Sequence, residues 1–437
     1  MKYLDLIVKW SDLTLDEQKK VLLRPIHSNS DLIRTKVSEI IKNVQISGDQ
    51  AVQNYTNLFD KCLLDTFKVS QNHIVSSLLK IDPILKKAIL IAKKNITSFH
   101  KAQILFDTDI ETQPGIRCQQ IYLPLNSIGI YIPNGIAPLL STVLMLAIPA
   151  QIAGCKNIIL CSPPPISDEI IYTAYTCGID QIFQIGGAQA ISALSFGTES
   201  IPKVDKIFGP GNAYVTEAKL QVNSMLNGPD IDMLAGPSEL LIIADETANS
   251  DFIASDLLSQ AEHGVNSQVI LLTSSNELSK QVVISLEKQL KNLSQSNNIY
   301  TALKNSSIIL TKNIFESINI SNTYAPEHLI INTKKPRSLL NYILNASSIF
   351  LGPWSPESAG DYASGTNHVL PTYGKSISNS ALGLSDFKKR ILVQELTSDG
   401  FINLSDTIEV LSKTEKLEAH YNAIKIRKNF FKDKNEG

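Results

Sequence analysis

Two hydrophobic periodicities divide the chain. From Asp31 to about Lys101, apolar residues recur at helical spacing, as at Ile33, Val37, Ile40 and Ile41, with charged positions between them. That interval puts apolar side chains on one face of a helix, so several helices in series are predicted. Met1 to Arg24 repeats the signature on a smaller scale, with Asp16-Glu17-Gln18 ahead of Val21-Leu22-Leu23, and is expected to be a helical arm. From Ile121 the pattern changes to short apolar runs bounded by Gly, Pro and Asn. Residues 121–124 and 127–132 are predicted strands, and Pro138 to Pro149 is an apolar helix behind the turn Tyr131-Ile-Pro-Asn-Gly135. Strands are expected at 157–161, 181–185 and 206–208. Helices are expected at 170–177, from Gly186 through Leu194, and after Gly209-Pro-Gly-Asn212.

A second series follows. Strands are predicted at 239–244, 268–273, 307–310, 329–331 and 348–351, with helices at 251–263, capped by Ser250 and stopped by Gly264, and at 277–293. Past Gly383 the pattern turns helical at Phe387-Lys-Lys-Arg-Ile, at 407–413 and from Lys416 to about Phe431. Strands this short, alternating with helices, predict an α/β fold of parallel sheets with helices on both faces. Two similar α/β units with helical ends are the expected organisation.

Composition narrows the functional class. A chain of 437 residues exceeds one typical core. Charged residues at 19% and hydrophobic residues at 43% describe a soluble globular protein, and a net charge of −2 argues against a nucleic acid or an anionic membrane held by bulk charge. No run approaches the roughly 20 apolar residues of a membrane helix, and the N-terminus has no apolar signal-peptide core. Five cysteines with no C-x-x-C pair read as reduced thiols, which suits the cytoplasm.

The richest chemistry lies in Gly352–Gly374. Gly, Pro, Ser and Asn crowd it, so neither a helix nor a long strand is expected, yet it holds Trp354, Tyr362, Tyr373, Glu357, Asp361 and His368. Either it is a site on a scaffold or an Ω-loop packed by its own aromatics. Two Gly-rich turns, Gly186-Gly187 and Gly209-Pro-Gly-Asn212, each follow a strand and open a helix. That arrangement aims backbone N–H groups at an anion, although glycine also serves a tight turn for backbone reasons alone. Gln189, Asn212 and Tyr131 stand beside these turns or at a strand end, and their neutral side chains suit a ribose or carboxamide.

Four histidines have polar company. Gln260 and His263, three residues apart on a predicted helix, share one face. Asp361 and His368 lie in the loop, and His420 follows Glu415 and Glu418. These donors suit Zn2+, but no H-x-x-x-H spacing is present, so each histidine is equally readable as a separately satisfied polar residue. His27, His73 and His100 lie in charge-rich helical surroundings and are expected at the surface or core edge. Glu327-His328 precedes a strand and pairs a water-activating carboxylate with a general base. Ser238 adds a hydroxyl after a Gly-Pro turn.

Together these stretches resemble the histidinol dehydrogenase family. The resemblance rests on Tyr131-Ile-Pro-Asn-Gly-Ile-Ala-Pro, Ser141-Thr-Val-Leu-Met-Leu-Ala, Gly186-Gly-Ala-Gln-Ala-Ile, Gly209-Pro-Gly-Asn-Ala-Tyr-Val and Ala235-Gly-Pro-Ser-Glu. It continues through Gln260-Ala-Glu-His, Ala325-Pro-Glu-His-Leu, the Gly352–Gly374 loop and Glu415-x-Leu-Glu-Ala-His420. It implies two incomplete Rossmann-like parallel-sheet domains with helical N- and C-terminal extensions. It implies one Zn2+ per subunit on Gln260, His263, Asp361 and His420, with His328 as general base and Glu327 activating water. Substrate contacts would be Ser238, Gln260, His263, His328, Asp361, His368, Glu415 and His420, and NAD contacts Tyr131, Gln189 and Asn212. It also implies a homodimer in which the C-terminal segment, with Glu415 and His420, reaches the neighbour's site. The corresponding boundaries are an arm at 1–24, a metal and catalytic domain at 25–130 plus 238–382, a cofactor domain at 131–237 and an extension at 383–437.

Three positions depart from the family pattern. Asn134 and Ile136 stand where small residues are common, and Lys416 replaces a frequent glycine. The implied reaction is the four-electron oxidation of L-histidinol to L-histidine through L-histidinaldehyde. The rivals are a zinc hydrolase, which needs no cofactor turns, a non-catalytic interaction protein, and a thiol-dependent aldehyde dehydrogenase. No cysteine lies in a polar Gly-rich segment, which disfavours the last.

Overall fold

The computed structural model describes residues 6–25, 31–134, 138–233, 236–294 and 296–436. His27, Gly135, Ile136, Leu234 and Ala235 lie outside the described residues. The chain divides into two units, Met1–Gln103 with Leu125–Asp386, and Ile104–Pro124 with Phe387–Gly437.

The first unit carries two parallel sheets. One runs, edge to edge, Gln181–Gln184, Asn157–Ser162, Ser127–Tyr131, Lys206–Phe208 and Asp230–Ile231. Every residue of Ser127–Tyr131 is buried, which is why that run is apolar rather than alternating. The helices Asp31–Asp60, Gly187–Phe196 and Ala213–Ser224 share its core through Val37, Ile41, Val52, Ile191, Leu194 and Val215. Side chains of this kind contribute about 1.5–3 kcal/mol each when fully buried.

The other sheet runs Ile7–Lys9, Ser307–Leu310, Gln268–Thr273, Glu239–Ala244, His328–Asn332 and Ser348–Leu351, all parallel. The N-terminal arm is therefore not wholly helical. Leu6 to Val8 form an apolar run that gains an edge position beside Ile308 and Ile309, and the helix Leu15–Val21 follows, closed by a Thr14–Glu17 capping box. Helix Ser250–Ala261 is capped by Asn249, which accepts from the N–H groups of Asp251 and Phe252 at 2.8 and 3.3 Å, rather than by Ser250. The Gly352–Gly374 segment holds a short helix, Glu357–Tyr362, contrary to the expectation of a loop alone. Pro356 fits the entry to it, and Gly360 permits close contact with the Phe350 ring, where a Cβ would come within 2.7 Å.

The second unit is an antiparallel sheet in the order Lys388–Leu396, Ile116–Pro124, Thr108–Gln113, followed by helices Ser398–Thr414 and Glu418–Glu436. The helix expected at Phe387-Lys-Lys-Arg-Ile is corrected here. Lys388–Leu396 is a strand because it pairs along its whole length with Ile116–Pro124, a partner far away in the sequence.

Candidate active site

In a parallel sheet, the helix leaving one strand returns to the amino end of the next. Helix Ser250–Ala261 therefore brings Gln260, and His263 two residues beyond its end, to the amino edge of the six-stranded sheet. His328 is the first residue of its strand, with Glu327 just before it, and Ser238 precedes the adjacent strand Glu239–Ala244. Helix Glu357–Tyr362 adds Glu357 and Asp361, which one turn of helix sets on a common face. Seven of the expected residues are thus brought together, namely Ser238, Gln260, His263, Glu327, His328, Asp361 and His368.

His328 is the hub. Its Nδ1 donates to the Glu239 carbonyl at 3.1 Å, leaving Nε2 as the ring atom that faces Asp361 Oδ1 at 3.8 Å. Glu327 Oε2 and Glu357 Oε1 lie 3.6 and 3.8 Å from Nδ1, and the end of the Gln260 amide 3.5 Å. The Glu239 N–H donates to Glu327 Oε2 at 2.8 Å, so one backbone residue addresses both the carboxylate and the imidazole. Gln260, fully buried, satisfies its neighbours best with its amide nitrogen on Glu357 and its oxygen on the Glu239 N–H. His263 Nε2 lies 3.9 Å from Asp361 Oδ2, and its Nδ1 3.3 Å from Ser238 Oγ. His368 Nδ1 donates to the Asp361 carbonyl at 2.7 Å, and its Nε2 lies 3.4 Å from Thr142 Oγ1.

Charge in this small volume is predominantly negative. Burial pulls the His328 imidazolium down, but Glu327, Glu357 and Asp361 outweigh it and hold the ring up at about 10. Burial pushes Glu357 up to about 8 against the opposing pull of His328. Burial holds His368 below its ordinary value, with Asp361 opposing. Ligand atoms of His263, Glu357 and Asp361 all lie within 4.8 Å of one another. One imidazole and two carboxylates make a donor set that suits a divalent cation preferring N and O ligands, so the residues present fit zinc. The sequence alone gives Glu357 no role beyond that of a loop carboxylate. The signal that could have found it is the four-residue step to Asp361.

The Gly-rich turns lie at the carboxyl edge of the five-stranded sheet, where open α/β sheets bind ligands. Tyr131 ends its strand, and its hydroxyl accepts from the Gly187 N–H at 3.0 Å. Burial pushes the phenol up to about 12. Gln189 is buried, and neither amide atom has a partner among the described residues. Asn212 caps helix Ala213–Ser224 with its oxygen, accepting from Tyr214 and Val215 N–H at 3.0 and 3.1 Å, which leaves its NH2 for other contacts. Gly209 has φ +120°, and a Cβ there would lie 2.0 Å from the Tyr131 carbonyl oxygen, so glycine is required. Asp232 accepts from the Gly209 N–H at 2.7 Å while Lys219, itself paired with Asp232, donates to the Gly209 carbonyl at 2.9 Å. This turn borders a cavity of about 1120 Å³ that also reaches Gly236, Tyr324 and Tyr373.

Glu415 and His420 are exposed residues of the second unit, beside Lys416 with its left-handed φ of +59°. Asn134 holds the proline turn, donating to the Pro165 carbonyl at 3.0 Å. His73 is half-exposed beside Asp168, and His100 is buried with Nδ1 on the Ile96 carbonyl at 2.9 Å. Cys161 and Cys177 are buried, which pushes both thiols up and away from the nucleophilic thiolate.

Comparisons with known proteins agree on one family. Residues 24–428 match the family described as histidinol dehydrogenase. The chain is 70% identical over 434 residues to the histidinol dehydrogenase of Buchnera aphidicola subsp. Schizaphis graminum, covering 99% of this chain and 100% of that protein. It is 54% identical over 427 residues to that of Escherichia coli K12, covering 98% of each. The crystal structure of histidinol dehydrogenase from Elizabethkingia anophelis superposes with a TM-score of 0.93 at 45% identity, covering 96% of this chain and 97% of that one.

Proposed function

We propose that this chain, which belongs to the histidinol dehydrogenase family and so is an oxidoreductase of histidine biosynthesis, oxidises L-histidinol to L-histidine through L-histidinaldehyde with NAD as acceptor. The hydrolase, interaction-protein and thiol-dependent alternatives fall with that membership. The observation that supports the reading best is the convergence of Glu327, Glu357, Asp361 and Gln260 on one buried imidazole, His328, at 3.5–3.8 Å.

Zinc would be held by Gln260, His263 and Asp361, with His420 of a partner subunit, and when bound supplies a Lewis acid that fixes the substrate's imidazole and amine. NAD would be held by Tyr131, Gln189 and Asn212 and supplies the hydride acceptor. The unpartnered amide of Gln189 fits that role, since a buried amide gains most from a ligand that satisfies it. A divalent cation on Asp361 would offset part of the negative charge that keeps His328 protonated, and Nε2 of the neutral ring then accepts the alcohol proton released with the first hydride. The same atom takes the proton of the hydrated aldehyde with the second. Glu327 takes a proton from the water that adds to the aldehyde. Ser238, His368 and Glu415 would orient the polar groups of the substrate. Burial of Glu327 and His328 limits water to the molecule consumed, which protects an aldehyde that reacts readily elsewhere.

The reading places the metal and catalytic residues in 25–130 plus 238–382, the cofactor contacts in 131–237, and an extension from 383 that completes the site of a second copy in a cytoplasmic homodimer. The test is NAD reduction with histidinol, followed by nicotinamide absorbance with and without a chelator. Two equivalents of NADH per histidine are expected, and no NADH from histidinol would overturn the reading.

A further inference from the structure

Asp31–Asp60 is interrupted at Gly48, and the helical stretch beyond it buries Ala51 and Val52 but ends in two polar groups. Thr56 is fully buried with its hydroxyl unpartnered among the described residues, and one turn later Asp60 has a buried Oδ2 that is likewise unpartnered. Burial alone raises the Asp60 carboxyl above its usual range. The adjacent cation does not relieve it, because Lys61 turns back to the Leu58 carbonyl at 2.8 Å. An unpaired buried carboxylate oxygen is costly and is retained where a ligand satisfies it.

The topology brings Asp60 toward one of the Gly-rich turns. The chain after Asp60 meets the five-stranded sheet antiparallel to Gln181–Gln184: the Gln184 N–H donates to the Phe67 carbonyl and the Val69 N–H to the Ile182 carbonyl, both at 2.8 Å. Residues before Phe67 therefore pass over the carboxyl end of that strand, where Gly186-Gly187 begins the next helix. The Asp60 charge acts on the Tyr131 hydroxyl, which itself receives the Gly187 N–H at 3.0 Å. Asp60 thus lies toward the side of the Gly186-Gly187 turn that carries the Tyr131 hydroxyl.

We propose that Asp60 is a further cofactor contact, its carboxylate accepting hydrogen bonds from the vicinal hydroxyls of a nucleoside ribose held beside Tyr131, Gly187 and Gln189. A carboxylate offers two acceptors to the two O–H donors of a ribose diol, and this is how acidic residues near Gly-rich βα turns recognise dinucleotides. The inference rests on the reading of these turns as the NAD site and adds a residue outside the family motifs quoted above.

The test is NADH binding by fluorescence titration, with thermal unfolding measured on the same samples of the zinc-loaded enzyme. Asp60→Ala and Asp60→Asn are each expected to weaken binding on the order of tenfold, the loss of a charged hydrogen-bonding partner. Asp60→Asn is also expected to unfold at or above the wild-type temperature, because it removes a buried unpaired charge. NADH analogues lacking a ribose hydroxyl should bind the wild type less well and both variants about as well as NADH. Unchanged NADH affinity in both variants overturns the proposal while leaving the NAD site intact. Weaker binding accompanied by lower unfolding temperatures in both variants marks a structural role and overturns it too. A wild type that binds no NADH would instead remove the cofactor reading from which the proposal starts.

Discussion

Arg24 and Glu239, 215 residues apart in the chain, form a bidentate ion pair, Nε to Oε1 at 2.6 Å and Nη2 to Oε2 at 2.8 Å. Their side chains are 17% and 2% exposed, and the guanidinium also donates to the Tyr324 carbonyl at 2.7 Å while lying 3.9 Å over the Tyr324 ring. The Tyr373 N–H donates to Glu239 Oε1 at 2.7 Å. Through its backbone the same glutamate holds Glu327 and His328. The N-terminal segment is therefore a strut of the sheet edge that carries Glu327 and His328 rather than a free arm.

Removing one partner leaves the other buried and uncompensated. Arg24→Met should cost about 3–5 kcal/mol by urea unfolding. The double variant Arg24→Met with Glu239→Gln should recover part of that loss, whereas strict additivity would mean that the pair contributes nothing as a pair.

Asp256, one turn before Gln260 and close enough to Glu357 to raise its carboxyl, is itself raised to about 7 by burial. Between the ordinary carboxylate range and that value, the folded protein keeps a proton that the unfolded chain has released. Stability attributable to this group therefore falls as pH rises through the window and is lost above about 7. Asp256→Asn should be the more stable protein at pH 8, by on the order of 2 kcal/mol, with the advantage shrinking toward pH 4. Equal unfolding midpoints at both pH values would show the carboxylate to be better solvated than its surroundings suggest.

Zinc content is expected to depend on His263. His263→Ala should retain less than one metal ion per site by elemental analysis, and a chelator should abolish histidinol oxidation in the wild type. Full metal retention in the variant would refute the ligand assignment.

Glu327→Gln would remove the proposed acceptor for the water proton while keeping the shape of the side chain. It should slow oxidation of added histidinaldehyde on the order of 100-fold and the first oxidation far less. Equal losses in the two half-reactions would assign Glu327 to positioning alone.

A shared site predicts complementation. Chains carrying His420→Ala and chains carrying His328→Ala, each inactive alone, should regain activity when mixed into heterodimers. No recovery in dimers shown to be mixed would count against the reach of the C-terminal segment into a partner.

Local pattern determined much of this protein. Strands Glu239–Ala244, Gln268–Thr273, Ser307–Leu310, Lys206–Phe208 and Ser348–Leu351 fall where the apolar runs place them, and the first two are buried at every position, as a central parallel strand covered on both faces requires. The Gly-rich turns were equally visible, since left-handed backbone and close approach each require glycine at a given position. Tertiary structure alone decided that Glu357 and Glu239 converge on His328, that Arg24 clamps Glu239, and that Lys388–Leu396 is a strand. A buried carboxylate looks like a surface one in sequence, and Lys388–Leu396 owes its conformation to a partner strand distant in the chain. Periodicity reports which face of an element is buried; what that face meets depends on pairings between residues hundreds of positions apart.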